Sequence, residues 1–395
     1  MNPEYYADIA ARLARLQAEE RLRRLPQGDF GLPMAISQGR EYLNLSSNDY
    51  LGIAADKDLR DEFFAFARDL SFGSTGSRLM TGNSEPYRDF EQELEQAYGL
   101  PALVFGSGFQ ANTGILPALA ERGDLVLADR LVHASIIDGV LACKADFLRY
   151  RHNDYDHLES LLAKNASKYR YVWIVSETIF SMDGDRADVA RLVELKRKYG
   201  ALLYLDQAHS IGTDGSTGLG VCAPDGRWSA VDVSVFPMGK AMASHGAFVV
   251  TRPEIKDYLV NTSRPMIFST ALPPVCVAWS AYVFRKMRSM QASRRRLAGL
   301  SDRLRGELSA LGYAVLGSSH IVPVVFGSNR AALDAAAALV GQGIWATAIR
   351  YPTVPQGQAR LRLSLSSALS DQQVERTIQV FKHLKTTSDA KPVAE

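Results

Sequence analysis

Residues 231–250 read VDVSVFPMGKAMASHGAFVV, and this stretch decides the fold class. VDVSVF is a run of β-branched and apolar residues of the kind buried on both faces of a sheet, and Pro237, Met238 and Gly239 close it just before Lys240. Ala241, Ala243, Ser244 and Gly246 follow, so a buried strand delivers an ammonium into a turn of small residues. A lysine so placed needs a counter-charge or a covalent use. Schiff-base chemistry is such a use, because a desolvated amine loses its proton and attacks aldehydes; a surface lysine just past a strand is the plainer alternative.

Working outward, the same apolar runs recur: ALVFGS, LVLADR, ADFLRY, YVWIVSE, ALLYLDQ, VDVSVF and GAFVVT are the expected strands, with helical patterns between them. Such alternation predicts crossover units and a mostly parallel α/β sheet covered on both faces, with ligands at the carboxyl ends of the strands. Residues 4–25 predict an amphipathic helix, an arm with Ile9, Leu13 and Leu16 on one stripe, ending at Pro26. After the prolines at 273–274 comes a long helical region with a basic run read as a solvated face. It leads into a smaller α+β unit with strands HIVPVVFG, IWATAIRY and ARLRLSLS and helices near 329–342 and 370–386. The expected organisation is an arm at 1–44, a large domain at 45–284, a small C-terminal domain at 285–386 and a frayed tail at 387–395.

Composition narrows the function. The 395 residues are 47% hydrophobic and 22% charged, and 45 basic against 43 acidic residues leave a net charge of +2. No field selects nucleic acid or a membrane surface, which leaves small molecules as the expected partners. Three dispersed cysteines, Cys143, Cys222 and Cys276, form no CxxC pair, and that suits a reducing cytoplasm better than a disulfide framework or structural zinc. No apolar run reaches the roughly 18 residues of a membrane span.

The chemical candidates fall at strand ends. GSGFQANTG at 106–114 follows ALVF and opens a helix, so its N–H groups and dipole suit a phosphate. Gly106, Gly108 and Ala111 also satisfy a dinucleotide fingerprint, with Asp129 as a possible ribose acid, so a nicotinamide-dependent (NAD) oxidoreductase is a rival of a different class. His133 in DRLVHAS offers a flat ring for stacking on an aromatic cofactor, and structural hydrogen bonding is its plainer reading. FSMDGD at 180–185 is, by composition, a turn. Asp206 ends the very hydrophobic strand ALLYLD, and a carboxylate entering a core needs a cation or donors. With His209 it makes only a weak metal pair, and no metal is expected. A pyridinium nitrogen suits Asp206 better, since a carboxylate there keeps the ring protonated as an electron sink.

Together the motifs resemble the α-oxoamine synthases, pyridoxal-phosphate enzymes of fold-type I. The resemblance rests on SNDYLG at 47–52, GSTGSRLMTGN at 73–83, SGFQAN at 107–112, HASIIDG at 133–139, FSMDGD at 180–185, DQAHS at 206–210, GK at 239–240, RPMIFSTALPP at 264–274 and AIRYPTVPQGQARLRLSLS at 348–366. It implies pyridoxal 5'-phosphate as cofactor and a seven-stranded, mostly parallel sheet with a smaller α+β C-terminal domain. By resemblance, Lys240 is the Schiff-base lysine, Asp206 faces the pyridinium nitrogen and His133 stacks on the ring. His209 and Ser181 hold the 3'-oxygen, and Ser107, Gly108 and Phe109 meet the phosphate. Ser269 and Thr270 reach the phosphate of the neighbouring subunit, which implies a homodimer. Asn48 and Arg362 hold the amino-acid carboxylate, with Arg360 the nearby competitor. Arg23 and Thr353 are expected at the acyl substrate.

The implied reaction is decarboxylative condensation of an amino acid with an acyl thioester of coenzyme A or acyl carrier protein. The PTVP and ARLRLSLS motifs favour L-alanine and a pimeloyl thioester, as in biotin biosynthesis, over sister reactions on glycine or in quorum-signal synthesis. Three positions depart from the family pattern. Pro237 stands where a phosphate-binding serine or threonine is usual, Gln207 replaces a frequent acid, and Tyr351 replaces a frequent proline.

Overall fold

The computed structural model describes residues 2–222 and 226–389, and the last part of the expected tail, 390–395, lies outside the described residues. The chain divides into two compact units, one of Asp49–Ser181 with Asp185–Arg295, the other of Met1–Asn48, Met182–Gly184 and Arg296–Glu395.

The first of these is built on a seven-stranded sheet. Its strands are numbered here in chain order: β1 Ala102–Phe105, β2 Leu125–Asp129, β3 Asp146–Tyr150, β4 Val172–Glu177, β5 Leu202–Asp206, β6 Val233–Pro237 and β7 Ala247–Thr251. The spatial order is β1-β7-β6-β5-β4-β2-β3, with β7 antiparallel to both neighbours and the other pairs parallel. All seven runs singled out in the sequence are strands of this sheet, and the mostly parallel expectation holds.

Side chains alternate between two apolar layers, as the period of two requires. Val126, Ala128, Val175, Val233 and Val235 face one layer with Ala111, Ile115, Ile136 and Val140 from the helices Gly108–Leu119 and Ala134–Ala142. Leu125, Leu127, Ile174, Leu203 and Leu205 face the other, with Leu158, Leu162, Leu192 and Leu195 from Tyr155–Asn165 and Val189–Tyr199. Burying each such side chain contributes roughly 1.5–3 kcal/mol, and this two-sided burial is what makes the strands read as unbroken apolar runs. The consequence for function is rigidity at the carboxyl ends.

In the second unit a four-stranded antiparallel sheet runs in the order Ala314–Val315, Ile321–Gly327, Ala359–Ser364, Thr347–Ile349. The helices Asn329–Gly341 and Asp371–Asp389 accompany it. IWATAIRY, expected as one strand, is two. Ile344–Trp345 pairs in parallel with Arg40–Asn44, while Thr347–Ile349 pairs with the strand of Arg360 and Arg362. Alternation in the sequence reports a pleat and does not report which partner is paired.

The N-terminal helix is shorter than expected, Pro3–Ala18, and buries none of its residues. The chain turns where the N–H groups of Arg21 and Leu22 both donate to Leu16 O, with Glu20 at φ 55°. The amphipathic pattern continued past this turn because Arg21, Leu22 and Leu25 keep a helical spacing without helical geometry. The basic run after residue 290 is not wholly solvated either. Arg294 is 6% exposed and donates to the carbonyls of Met287 and Ser216, tying off the end of the helix Pro274–Arg288.

Candidate active site

Five parallel strands deliver chemistry at the same sheet edge. After β1 comes Ser107; after β2, His133; after β4, Ser181; Asp206 ends β5 itself; and Lys240 follows β6. Ser107 is the N-cap of the helix Gly108–Leu119, its Oγ accepting from Gln110 N at 3.1 Å. The N–H groups of Gly108 and Phe109 precede the first intrahelical bond, so they and the helix dipole suit an anion.

Gly108 also explains its own identity. A Cβ built there would lie 2.6 Å from Pro237 Cγ and 2.8 Å from Pro237 Cβ, so the proline ring packs directly on the start of the helix. Pro237, at the position where a hydroxyl was expected, thus occupies space beside the turn expected to meet a phosphate.

Lys240 is held by a stiff turn. Ala243 N donates to Lys240 O at 2.8 Å, Ser244 N to Met238 O at 3.1 Å and Met238 N to Gly246 O at 3.0 Å. Ala243 takes φ 45°, and Trp279 Nε1 donates to its carbonyl at 2.9 Å. Small residues are required here because the backbone adopts conformations that larger side chains resist.

Asp206 is 3% exposed and receives Asn112 Nδ2 at 2.8 Å and Ala208 N at 2.8 Å. The Asn112 carboxamide is oriented by the Tyr204 hydroxyl, which donates to its oxygen at 2.6 Å, and its second N–H reaches Ser135 Oγ at 2.9 Å. Ser135 Oγ is in turn 2.7 Å from His133 Nδ1, which also accepts from Ser135 N. A relay therefore runs from the carboxylate to the imidazole and leaves Nδ1 an acceptor. Although His133 is accessible, the protein crowding it lowers its pKa below the ordinary histidine value; Asp206 opposes that shift and the charge of Lys240 adds to it. The shift favours the neutral ring, in keeping with Nδ1 as an acceptor.

Glu177, which ends β4 in register with Asp206, was not singled out in the sequence. It is 2% exposed, Oε1 has no hydrogen-bond partner, and burial, then the neighbouring Asp206 charge, push its pKa well above the carboxylate range. Asn112, Ser135 and Tyr204 were missed as well, because their part is to hold Asp206 from other strands and helices. The N in SGFQAN and the S in HASIIDG were the signals that could have found them.

This edge fits a phosphorylated pyridine. The donors reaching Asp206 are neutral, a buried carboxylate calls for a cationic N–H, a helix N-terminus lies along the same edge for the phosphate, and a lysine amine stands two strands from the latter. His209 is 2% exposed, its Nδ1 2.7 Å from the Tyr50 hydroxyl. Gln207 is fully buried and ties the following loop down through Val221 N and O. Asp129, the possible ribose acid, is 0% exposed with its oxygens taken by Leu131 N, Asn153 N and His152, so it has no place for a ribose. No group of three or more potential metal ligands occurs among the described residues.

Ser269 and Thr270 follow the helix Arg264–Phe268. Thr270 bridges to Ser77, and Arg78, stacked on Tyr87 at 4.2 Å and paired with Glu91 at 2.6 Å, anchors that neighbouring turn. Large apolar side chains lie exposed there: Leu79 at 51%, Met80 at 80% and Phe268 at 71%.

In the other unit, Arg362 Nη1 donates to Asn48 Oδ1 at 3.0 Å and to Ser364 Oγ at 2.6 Å. Arg360 is 2% exposed and committed to Asp183 at 2.6 Å, with further bonds to the carbonyls of Met182 and Gln358. Arg23 Nη2 donates to Thr353 Oγ1 at 2.7 Å, and the Arg21 guanidinium lies 5.0 Å from the Tyr351 ring centre.

Comparison with known proteins agrees with this geometry. The profile of the aminotransferase class I and II family matches residues 40–381. An 8-amino-7-oxononanoate synthase of Chlorobaculum parvum is 47% identical over 386 residues, covering 96% of this chain and 98% of that protein. A serine palmitoyltransferase variant from S. paucimobilis, solved with PLP and myriocin bound, superposes with a TM-score of 0.89 at 27% identity, covering 99% of this chain and 100% of that one. The 8-amino-7-oxononanoate synthase of Francisella tularensis superposes with a TM-score of 0.75 at 25% identity, covering 88% and 99%. The strand-end lysine, the buried carboxylate and the end-to-end likeness have one reading: the chain belongs to the class I and II aminotransferase family, and within it to the pyridoxal-phosphate acyltransferases of α-oxoamine synthase type.

Proposed function

We propose that this enzyme condenses L-alanine with a pimeloyl thioester, releasing carbon dioxide and thiol and forming 8-amino-7-oxononanoate for biotin synthesis. The observation that carries the reading is the 47% identity, along 96% of the chain, to a synthase of that name. The reaction forms a bond between the alanine Cα and the acyl carbon, and it breaks the acyl–sulfur bond and the bond from Cα to the carboxylate.

Bound pyridoxal phosphate supplies the electron sink for negative charge at Cα. Lys240 would hold the cofactor through its amine and, when that amine is free, would be the base that takes the Cα proton. Asp206, steadied by Asn112, keeps the proton on the ring nitrogen. His133 presents its neutral ring as the stacking surface, His209 and Ser181 hold the 3'-oxygen, and Ser107 with the N–H groups of Gly108 and Phe109 binds the phosphate. Arg362 with Asn48 orients the amino-acid carboxylate, a choice over Arg360 supported by the ion pair of Arg360 with Asp183. Arg23 and Thr353 meet the far end of the acyl chain, where an anionic terminus gains a charge-assisted bond.

The working form is a homodimer in the cytoplasm. The exposed Leu79, Met80 and Phe268 beside Ser269 and Thr270 form the apolar face that a second copy covers, and Ser269 and Thr270 complete the partner's phosphate site.

The higher TM-score to the serine palmitoyltransferase supports, as a second reading, a sister enzyme using another amino acid and acyl chain. Amino acids crossed with coenzyme A and carrier-protein thioesters, read by carbon dioxide and thiol release, separate the two. Alanine with pimeloyl thioester is expected to give the highest kcat/KM; serine with a long unsubstituted chain outrunning it would establish the sister activity instead.

A further inference from the structure

His152, in the RHND stretch after β3, lies between two carboxylates: Nδ1 is 2.9 Å from Asp129 Oδ1 and Nε2 is 2.7 Å from Asp185 Oδ2. Both ring nitrogens therefore donate. The two carboxylates come from different strand ends, Asp129 closing β2 and Asp185 lying in the turn after β4. Asp129 Oδ1 also accepts Leu131 N at 2.8 Å, fixing the segment that runs into His133. Asp185 closes the FSMDGD turn, its carbonyl accepting Phe180 N at 3.0 Å, and so fixes the segment that holds Ser181.

Asn153 reinforces the same join, with N on Asp129 Oδ2 at 2.9 Å and Nδ2 on Asp185 Oδ2 at 2.7 Å. Phe180 packs against the imidazole edge-on, ring centres 4.4 Å apart. We propose that His152 is a positioning residue for the cofactor site, a charged clasp that sets the spacing between the loop bearing His133 and the turn bearing Ser181. The proposal rests on the cofactor reading given above for those two residues.

Burial alone would lower the pKa of His152, but the hydrogen bonds and charges of Asp129 and Asp185 outweigh it and raise the value to about 10. Other titratable groups near this pair are Tyr150, Tyr155, Asp188 and Glu177; burial pushes both tyrosines and Glu177 upward, away from their charged forms. The clasp is therefore an imidazolium between two carboxylates throughout the neutral range.

The test uses the full chain reconstituted with pyridoxal phosphate, reading the cofactor dissociation constant and the visible circular dichroism of the bound chromophore. His152→Gln and Asp185→Asn are each expected to raise the dissociation constant about ten-fold, the scale of losing one charge-assisted hydrogen bond, and to weaken the dichroic band. Because both changes remove one bridge, the double variant should bind no more weakly than His152→Gln alone. Above pH 10 the gap between wild type and His152→Gln should close. Variants that lose thermal stability yet bind cofactor with unchanged affinity and dichroism overturn the clasp alone, as does full additivity in the double variant. If His152→Gln does not fold, Asp185→Asn carries the same decision on its own. A wild-type chain that takes up no pyridoxal phosphate overturns the cofactor reading and the clasp with it.

Discussion

Asn112 Nδ2 lies 2.8 Å from Asp206 Oδ2 across 94 positions of sequence, and the Tyr204 hydroxyl fixes the amide that makes this bond. The carboxylate is thereby aimed before any cofactor arrives. Replacing Asn112 by leucine, of similar volume, leaves the Tyr204 hydroxyl and one Asp206 oxygen without their partner. A loss of about 1–3 kcal/mol in folding stability is expected, together with weaker cofactor binding. Urea unfolding of the cofactor-free chain and a cofactor titration measure the two effects, and unchanged values in both would remove Asn112 from the account.

His152 gives a pH dependence with a definite sign. Its folded pKa of about 10 lies above the ordinary histidine value of 6.5. A raised pKa means that the folded chain binds the proton more tightly, so the stabilisation is fully present below about 6.5 and is lost as pH rises through about 10. The stability difference between wild type and His152→Gln, measured by urea unfolding from pH 6 to 11, should shrink across that window. A difference that grows with pH would reverse the sign of the assignment.

At the phosphate turn, Pro237 fills space where a hydroxyl could serve. Pro237→Thr is expected to tighten cofactor retention by about 1 kcal/mol, by adding one donor. Gly108→Ala is expected to do the opposite, because its Cβ would meet the rigid proline ring at 2.6 Å; overpacking of this kind costs about 1–3 kcal/mol. Equilibrium dialysis of cofactor against each variant decides, and a Pro237→Thr chain that binds no better would show the phosphate already saturated.

The two arginines of one strand should separate kinetically. Arg362→Lys loses the planar fork and is expected to raise KM for the amino acid at least ten-fold, with a smaller change for the acyl donor. Arg360→Lys disturbs the buried pair with Asp183 and should appear mainly as lost stability, about 1–3 kcal/mol. Steady-state kinetics with both substrates varied will distinguish them; the reverse pattern would exchange their roles.

The sheet was legible because strands buried on both faces leave unbroken apolar runs, and the placement of Lys240 and Asp206 at strand ends was legible because an ionisable residue there interrupts such a run. What escaped was pairing across distance. Asn112, Ser135 and Tyr204 look like ordinary residues of a helix or strand until the fold brings them around Asp206, and Asp129 resembled a ribose ligand until its carboxylate proved to be occupied by His152, Leu131 N and Asn153 N. The arm was misread for a local reason, since the left-handed Glu20 ends a helix whose hydrophobic spacing continues beyond it. IWATAIRY concealed a change of sheet at Ala346, which no alternation of side chains announces.

The central claim is that Lys240 is the residue to which pyridoxal phosphate attaches. Borohydride reduction of the cofactor-loaded chain, followed by proteolysis and mass spectrometry of the peptides, tests it most directly. The account expects the yellow colour to bleach and a single phosphopyridoxyl group to appear on Lys240, with no label in the Lys240→Ala chain. A label on another lysine of the wild-type chain, or cofactor bound with no reducible link, would contradict it.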